Sequence, residues 1–272
     1  MMKLQDKLHE CRNGGRAILA TNFYNLETLQ GILQAAREMQ APIILQLSES
    51  SINYIGLEMA VNMVRTAIKN YNVEAWLHLD HGNSTELTKR CLEAGFDSVM
   101  IDASERSFDE NVKITTEVVK QAQKYGAHVE AELGYIAKLG QTQSNNAFTQ
   151  PEDAKRFTEL TGINSLAVAI GSSHGFYNES PNIQIELLEK IHQATTSSLV
   201  LHGGSGIPAN MLASAVAHGI SKINLATEIK DTFMRALRLQ LASTSEIDLR
   251  KVFPTAINDV KELIEAKLKL LK

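Results

Sequence analysis

A chain of 272 residues is long enough to bury a full core and matches one large α/β domain. Hydrophobic residues at 44% and charged residues at 21% are ordinary for a globular protein, and a net charge of −4 argues against nucleic acid or an anionic membrane as partner. Cys11 and Cys91 are too few for a disulfide framework and read as unpaired thiols. No apolar run approaches the roughly 20 residues of a membrane span, and the start, MMKLQDKLHECRNGGRA, reads as a polar leading helix and turn, so the expected address is the cytoplasm.

After that leading helix the first strand-like run is 17–21 (AILAT), followed by helical periodicity in NLETLQGILQAAREMQ. Further strands are predicted at 43–48 (IILQLS), 75–80 (AWLHLD), 98–102 (SVMID) and 128–133 (HVEAEL). Between them lie the helical stretches GLEMAVNMVRTAIKNY, STELTKRCLEAG and DENVKITTEVVKQAQKYG, two of which end in glycine, as helix C-termini often do. The last strands are predicted at 165–170, 199–202 and 222–226, separated by PEDAKRFTELTG, NIQIELLEKIHQAT and ANMLASAVAHG. Strand–helix alternation with short connections implies a parallel sheet, and eight such units favour a closed (β/α)8 TIM barrel over an open one. No GxGxxG follows the first strand, which argues against a dinucleotide fold. Residues 228–272 read as two further C-terminal helices, which could be the eighth barrel helix plus a subunit contact, and the absence of a linker or repeat makes 1–272 a single expected domain.

Two connections are long: 134–150 (GYIAKLGQTQSNNAFTQ) after the fifth strand and 171–182 (GSSHGFYNESPN) after the sixth. The second carries a histidine. His81, His174 and His202 each fall right at the end of a short β-branched-rich run (AWLHLD, SLAVAIGSS and SLVL), and each is followed by glycine. Strand C-terminal ends converge on one mouth of a barrel, so three neutral imidazoles would meet there as a zinc site with one open position. His9, His192 and His218 sit in helical contexts, and His128 begins the fifth strand at the wrong end for catalysis. His78 shares a strand face with Asp80 and is a candidate partner behind the ligands. The HxH pair of two-metal barrel hydrolases is absent; the motif is HLDH. Asp80, beside His81, is placed to take a hydroxyl proton, as cleavage of a β-hydroxy ketone requires. Asp102, Glu130 and Glu132 could orient histidines or hold a second cation. The glycine turn at 202–206 (HGGSG) and the NLAT segment at 224–227, opening a helix, fall after strands seven and eight, the recurrent phosphate site of such barrels.

At these residues the chain resembles the class II, zinc-dependent ketose-bisphosphate aldolases. The resemblance runs through TNFYNLETLQ, LHLDHGNSTEL, AGFDSVMIDAS, DENVKITTEVV, HVEAELG, TGINSLAVAIGSSHG, LVLHGGSGIP and ISKINLATEIK, nearly the whole barrel in order. It implies reversible cleavage of a phosphorylated ketose, of the tagatose or fructose 1,6-bisphosphate type, to dihydroxyacetone phosphate and an aldehyde. His81, His174 and His202 would bind one zinc ion, with Asp102 and Glu132 near it as outer groups. Asp80 would donate and accept the proton of the C4 hydroxyl. Gly175, Gly203, Gly204, Ser205, Asn224 and Thr227 would hold the dihydroxyacetone phosphate half, and Asn22 would help orient the enediolate. A monovalent cation near the phosphate and a homodimer or homotetramer are further family features. Ala226 stands where fructose-bisphosphate enzymes often carry aspartate, so the tagatose branch looks closest. Ser48 and Ser51 are candidates for a second phosphate.

One stretch departs from the family. After the ELG of strand five the family usually has a glycine pair and acidic residues, whereas this chain has no Asp or Glu between Glu132 and Glu152. Tyr135, Glu130 or water would have to serve at C3 instead. The departure leaves two alternatives: an aldolase for a different ketose phosphate or sugar-acid phosphate, and a non-catalytic paralogue that binds sugar phosphates. A Schiff-base aldolase is disfavoured, since no lysine ends strand six and Lys222 is predicted to begin strand eight.

Overall fold

A computed structural model describes residues 2–134, 136, 148–177 and 179–271. Among these, eight parallel strands close in sequence order into one barrel: β1 (Ile18–Asn22), β2 (Ile43–Ser48), β3 (Ala75–Gly82), β4 (Ser98–Ile101), β5 (His128–Leu133), β6 (Ser165–Val168), β7 (Ser198–Leu201) and β8 (Ile220–Leu225). The expected (β/α)8 barrel is the observed fold. Alternation divides each strand. Leu45, Leu47, Leu77, Leu79, Val99 and Ile101 face outward into the core shared with the helices.

The helices follow the predicted stretches, several with side-chain caps. Asn25 caps α2 (Leu26–Glu38) through a capping box with Thr28, and Ser107 caps α6 (Phe108–Gln123) through one with Glu110. Two helices, α3 (Glu49–Ile55) and α4 (Leu57–Tyr71), link β2 to β3, and α5 (Thr85–Ala94) follows β3. Helices α7 (Pro151–Thr161), α8 (Ile185–Ala194) and α9 (Ala209–Ala217) complete the ring up to β8.

The leading helix α1 (Leu4–Asn13) is more than a polar extension. Its Leu4, Leu8 and Cys11 pack with Ile18, Ala20, Ile44 and Trp76 at the N-terminal end of the barrel, and the Trp76 indole donates to the Met2 carbonyl at 3.0 Å. That end is stoppered, which leaves the opposite mouth for chemistry. The C-terminal pair is α10 (Thr227–Ser243), which follows β8 as the eighth barrel helix, and α11 (Leu249–Leu270), which packs along α10 and α2. No helix among the described residues is long and apolar enough to cross a membrane.

Lys222 does not begin strand eight: β8 starts at Ile220, directly after the Gly219 turn, and Lys222 is buried in its interior. A lysine there satisfies no simple strand pattern, because its partner comes from another strand.

Candidate active site

Asp80 and His81 are sequence neighbours, and a regular strand would send them to opposite faces. The ladder between β3 and β4 instead shifts register between Leu79 and Gly82, and His81 takes φ +48°, a left-handed conformation that is rare for a residue with a side chain. The bulge turns both side chains to the C-terminal mouth. Asp80 is buried, with Oδ2 accepting from Asn22 Nδ2 at 2.9 Å and Oδ1 from Asn224 Nδ2 at 3.3 Å. Burial works against its charge, but His81, His202, Lys222 and the Asn22 amide together hold it at about 2, an ionised carboxylate.

The three histidines predicted from strand ends converge, although β6 already ends at Val168 and His174 reaches the mouth from the connection after it. Ring centroids are 4.9 Å apart for His81 and His174, 4.6 Å for His81 and His202, and 5.8 Å for His174 and His202. One nitrogen of each lies within 4.8 Å of the others, close enough to share an ion, as do His81, Asp102 and Glu132. The far sides of two rings are held by carboxylates. Asp102 Oδ2 lies 2.8 Å from His81 Nδ1, its other oxygen taking the Ser104 amide and hydroxyl at 3.2 and 2.7 Å. Glu130 Oε1 lies 2.9 Å from His202 Nε2. Burial opposes the charge of Asp102 and Glu130. Their hydrogen-bonded and cationic neighbours nevertheless hold both well below the ordinary carboxylate range, so both are acceptors.

The consequence is geometric. With Nδ1–H of His81 given to Asp102 and Nε2–H of His202 given to Glu130, both remaining nitrogens should be bare, yet His81 Nε2 and His202 Nδ1 face each other at 2.9 Å. Two lone pairs at that distance repel, so a cation belongs between them. A proton can also serve there: burial disfavours the charge on His81, but Asp80 and the Asp102 hydrogen bond more than reverse this, raising it to about 9. Burial and the neighbouring rings push His174 down to about 3, a neutral imidazole. Glu132 is raised to about 8 by burial and by Asp102.

Beside the histidines lies a cavity of about 310 Å³ bounded by Asn22, Ser48, Asp80, Gly175, Gly203, Ser205, Asn224, Ala226 and Thr227, nearly the whole predicted substrate set. Gly204 is not on its wall; its amide donates to the Asn224 carbonyl at 3.0 Å and so braces β8 against the glycine turn. Asp102 and Glu132 are not on this wall but cluster with His81 beside it, and Ser51 gives way to Ser50. Tyr24 and Lys230 also line the cavity, with Lys230 Nζ 5.5 Å from the Tyr24 ring centroid, and neither is among the residues the sequence motifs single out. Lys230 had a legible signal, one helical turn after Thr227 on α10. The loops after β6 and β7 are tied by Tyr177, whose hydroxyl accepts from the Ser173 amide at 3.0 Å and donates to the Gly203 carbonyl at 2.8 Å. His128 sits buried at the start of β5, away from the mouth, as expected. Tyr135 lies outside the described residues, as does most of the connection lacking acidic groups.

The comparisons with known proteins agree with this geometry. The family model for class II fructose-bisphosphate aldolase matches residues 2–272. Fructose-bisphosphate aldolase of Geobacillus stearothermophilus is 39% identical over 277 residues, covering 99% of this chain and 96% of that protein. The enzyme of the same name from Helicobacter pylori is 34% identical over 300 residues, covering 100% and 98%. Among solved structures, the YdjI aldolase from Escherichia coli K12 superposes with a TM-score of 0.89 at 32% identity, over 98% of this chain and 96% of that one. With its barrel, its convergent histidines and matches along its whole length, the chain belongs to the class II fructose-bisphosphate aldolase family, a family of lyases.

Proposed function

We propose that this protein is a zinc-dependent aldolase that reversibly cleaves tagatose or fructose 1,6-bisphosphate to dihydroxyacetone phosphate and an aldehyde. The observation that carries the reading is the pair of facing imidazole nitrogens, each backed by a carboxylate, beside an ionised Asp80 in one cavity. Three imidazoles form a donor set suited to zinc, and the arrangement behind two of the rings is that of metal-binding histidines. His81, His174 and His202 would hold the ion, which supplies a Lewis acid to polarise the oxygens of the ketose.

Asp80 takes the proton of the C4 hydroxyl as the C3–C4 bond breaks, and returns it in the condensation direction. Asn22 and Asn224 hold its two oxygens, so the carboxylate meets the substrate in a fixed orientation. Gly175 in the connection after β6, Gly203 and Ser205 in the glycine turn, and Thr227 at the N-terminus of α10 receive the phosphate of the dihydroxyacetone half. Ser48 lies on the cavity wall where a second phosphate would reach. Ala226 favours tagatose over fructose, while the names of the relatives favour fructose. The lack of acidic residues between Glu132 and Glu152 supports a second reading, the same chemistry on a different ketose phosphate.

The test is cleavage of both bisphosphates, followed through dihydroxyacetone phosphate release, with zinc and with a chelator. Chelator-sensitive cleavage of one epimer in clear preference supports the reading and ranks the two. Zinc-loaded protein that cleaves neither moves the assignment to another ketose phosphate, and cleavage that survives complete zinc removal sinks the metal role.

A further inference from the structure

Directly beneath the three histidines the barrel interior is ionic. Lys222, the third residue of β8, is 1% exposed and Glu130 of β5 is 0% exposed, so both charges are removed from water. Lys222 Nζ donates to Glu130 Oε2 at 2.7 Å and lies 3.2 Å from His78 Nε2, while His78 Nδ1 lies 2.7 Å from Ser98 Oγ. Desolvating such a pair generally costs about as much as its attraction returns, and apolar side chains of like volume would serve the fold as well. The pair therefore calls for another reason.

We propose that Lys222 is a positioning residue for the metal site: from the barrel interior it pins Glu130, and through Glu130 it aims the Nδ1 of His202 into the space shared with His81 and His174. A carboxylate held at one oxygen can swing about its side-chain torsions. With Lys222 on Oε2, the plane of Glu130 is set, and Oε1 has a single partner in reach, the Nε2–H of His202. The ring must then turn Nδ1 toward the mouth, where it meets His81 Nε2. His78 anchors the chain from below, offering a bare Nε2 to the ammonium while its Nδ1–H turns to Ser98. The opposite ligand, His81, is oriented by Asp102 and Ser104 from the loop after β4, so the two rings are set from independent parts of the barrel.

This inference rests on the reading of the three histidines as zinc ligands, and the experiment separates the two. Zinc affinity is measured by competition with a chromogenic chelator for the native protein, Lys222→Met, Glu130→Gln and the double variant. Each single change is expected to weaken zinc binding roughly 10–100-fold, the range for partners standing behind a ligand. The double variant should be no worse than the more damaging single, because both break one chain. In the zinc-loaded native protein, ring ¹⁵N spectra should show His202 protonated at Nε2 and bound through Nδ1. Unchanged affinity in either single variant, losses that multiply in the double, or His202 bound through Nε2 each overturn the proposal. If Lys222→Met fails to fold, Glu130→Gln and the native ring spectrum decide. Native protein that takes up no zinc sinks the zinc reading together with this one, whereas tight native binding that the variants retain sinks this one alone.

Discussion

Gly203→Ala should damage the site more than the fold, and the structure supplies the magnitude. Gly203 has φ +70°, and a Cβ there would lie 2.2 Å from the Ser173 carbonyl oxygen and 2.6 Å from its carbon. Both obstacles are backbone, so no rotamer change relieves them. Gly15, between α1 and β1 at the far end of the barrel, is the natural control: its φ is +60°, and a Cβ there would meet nothing within 4 Å. Gly15→Ala should therefore lose only the left-handed strain, about 1–2 kcal/mol. Gly203→Ala adds an overpacking cost of about 1–3 kcal/mol. The relief available is a retreat of Ser173, which adjoins His174 and is tied to Gly203 through Tyr177. A misplacement of about 1 Å in a catalytic constellation costs on the order of 10²-fold in rate. The assays are urea unfolding, compared at equal m values, and dihydroxyacetone phosphate release. Equal destabilisation of the two variants, or Gly203→Ala with native turnover, would refute the claim that these loops meet backbone to backbone.

Other perturbations separate the roles of the remaining groups. Asp80→Asn should lower kcat by about 10²–10⁴-fold with zinc content unchanged in metal analysis; a variant of native rate excludes Asp80 as the base. Tyr177→Phe removes a hydroxyl that both accepts and donates, and should cost about 1–3 kcal/mol in urea unfolding and raise KM; native values in both would show the tie to be idle. Arg12 donates to the carbonyls of His192, Thr195 and Ser197 at 2.6, 2.6 and 2.8 Å, closing the end of α8 far from the mouth. Arg12→Met should cost about 2–4 kcal/mol with KM unchanged, and an altered KM would contradict a purely structural role. Zinc at 100 times its dissociation constant should stabilise the protein by about 2.7 kcal/mol over the chelated form, read from the same unfolding curves. No shift at that concentration would mean that the unfolded chain binds zinc as tightly as the folded protein, against a site assembled by the barrel.

The barrel and much of its mouth are legible in the amino-acid sequence because the signals are local. Runs such as IILQLS and SLVL, bounded by caps and turn residues, mark strands whose observed limits differ from the predicted ones by at most two residues. Strand ends in a parallel barrel share one face, so His81, His174, His202 and the glycine turn could be placed together without any knowledge of contacts. What the sequence by itself determined is therefore the closed α/β architecture, the convergence of three histidines beside Asp80, and the family. Only the tertiary structure decided how those groups are aimed. The bulge that lets adjacent Asp80 and His81 face one cavity depends on the β3–β4 register. The pairing of Lys222 with Glu130 spans 92 positions, and the packing of α11 against α2 joins opposite ends of the chain. Such contacts have no period or spacing to read. A charge in a strand is compatible with solvent or with a buried partner, and only chain closure brings the partner within reach.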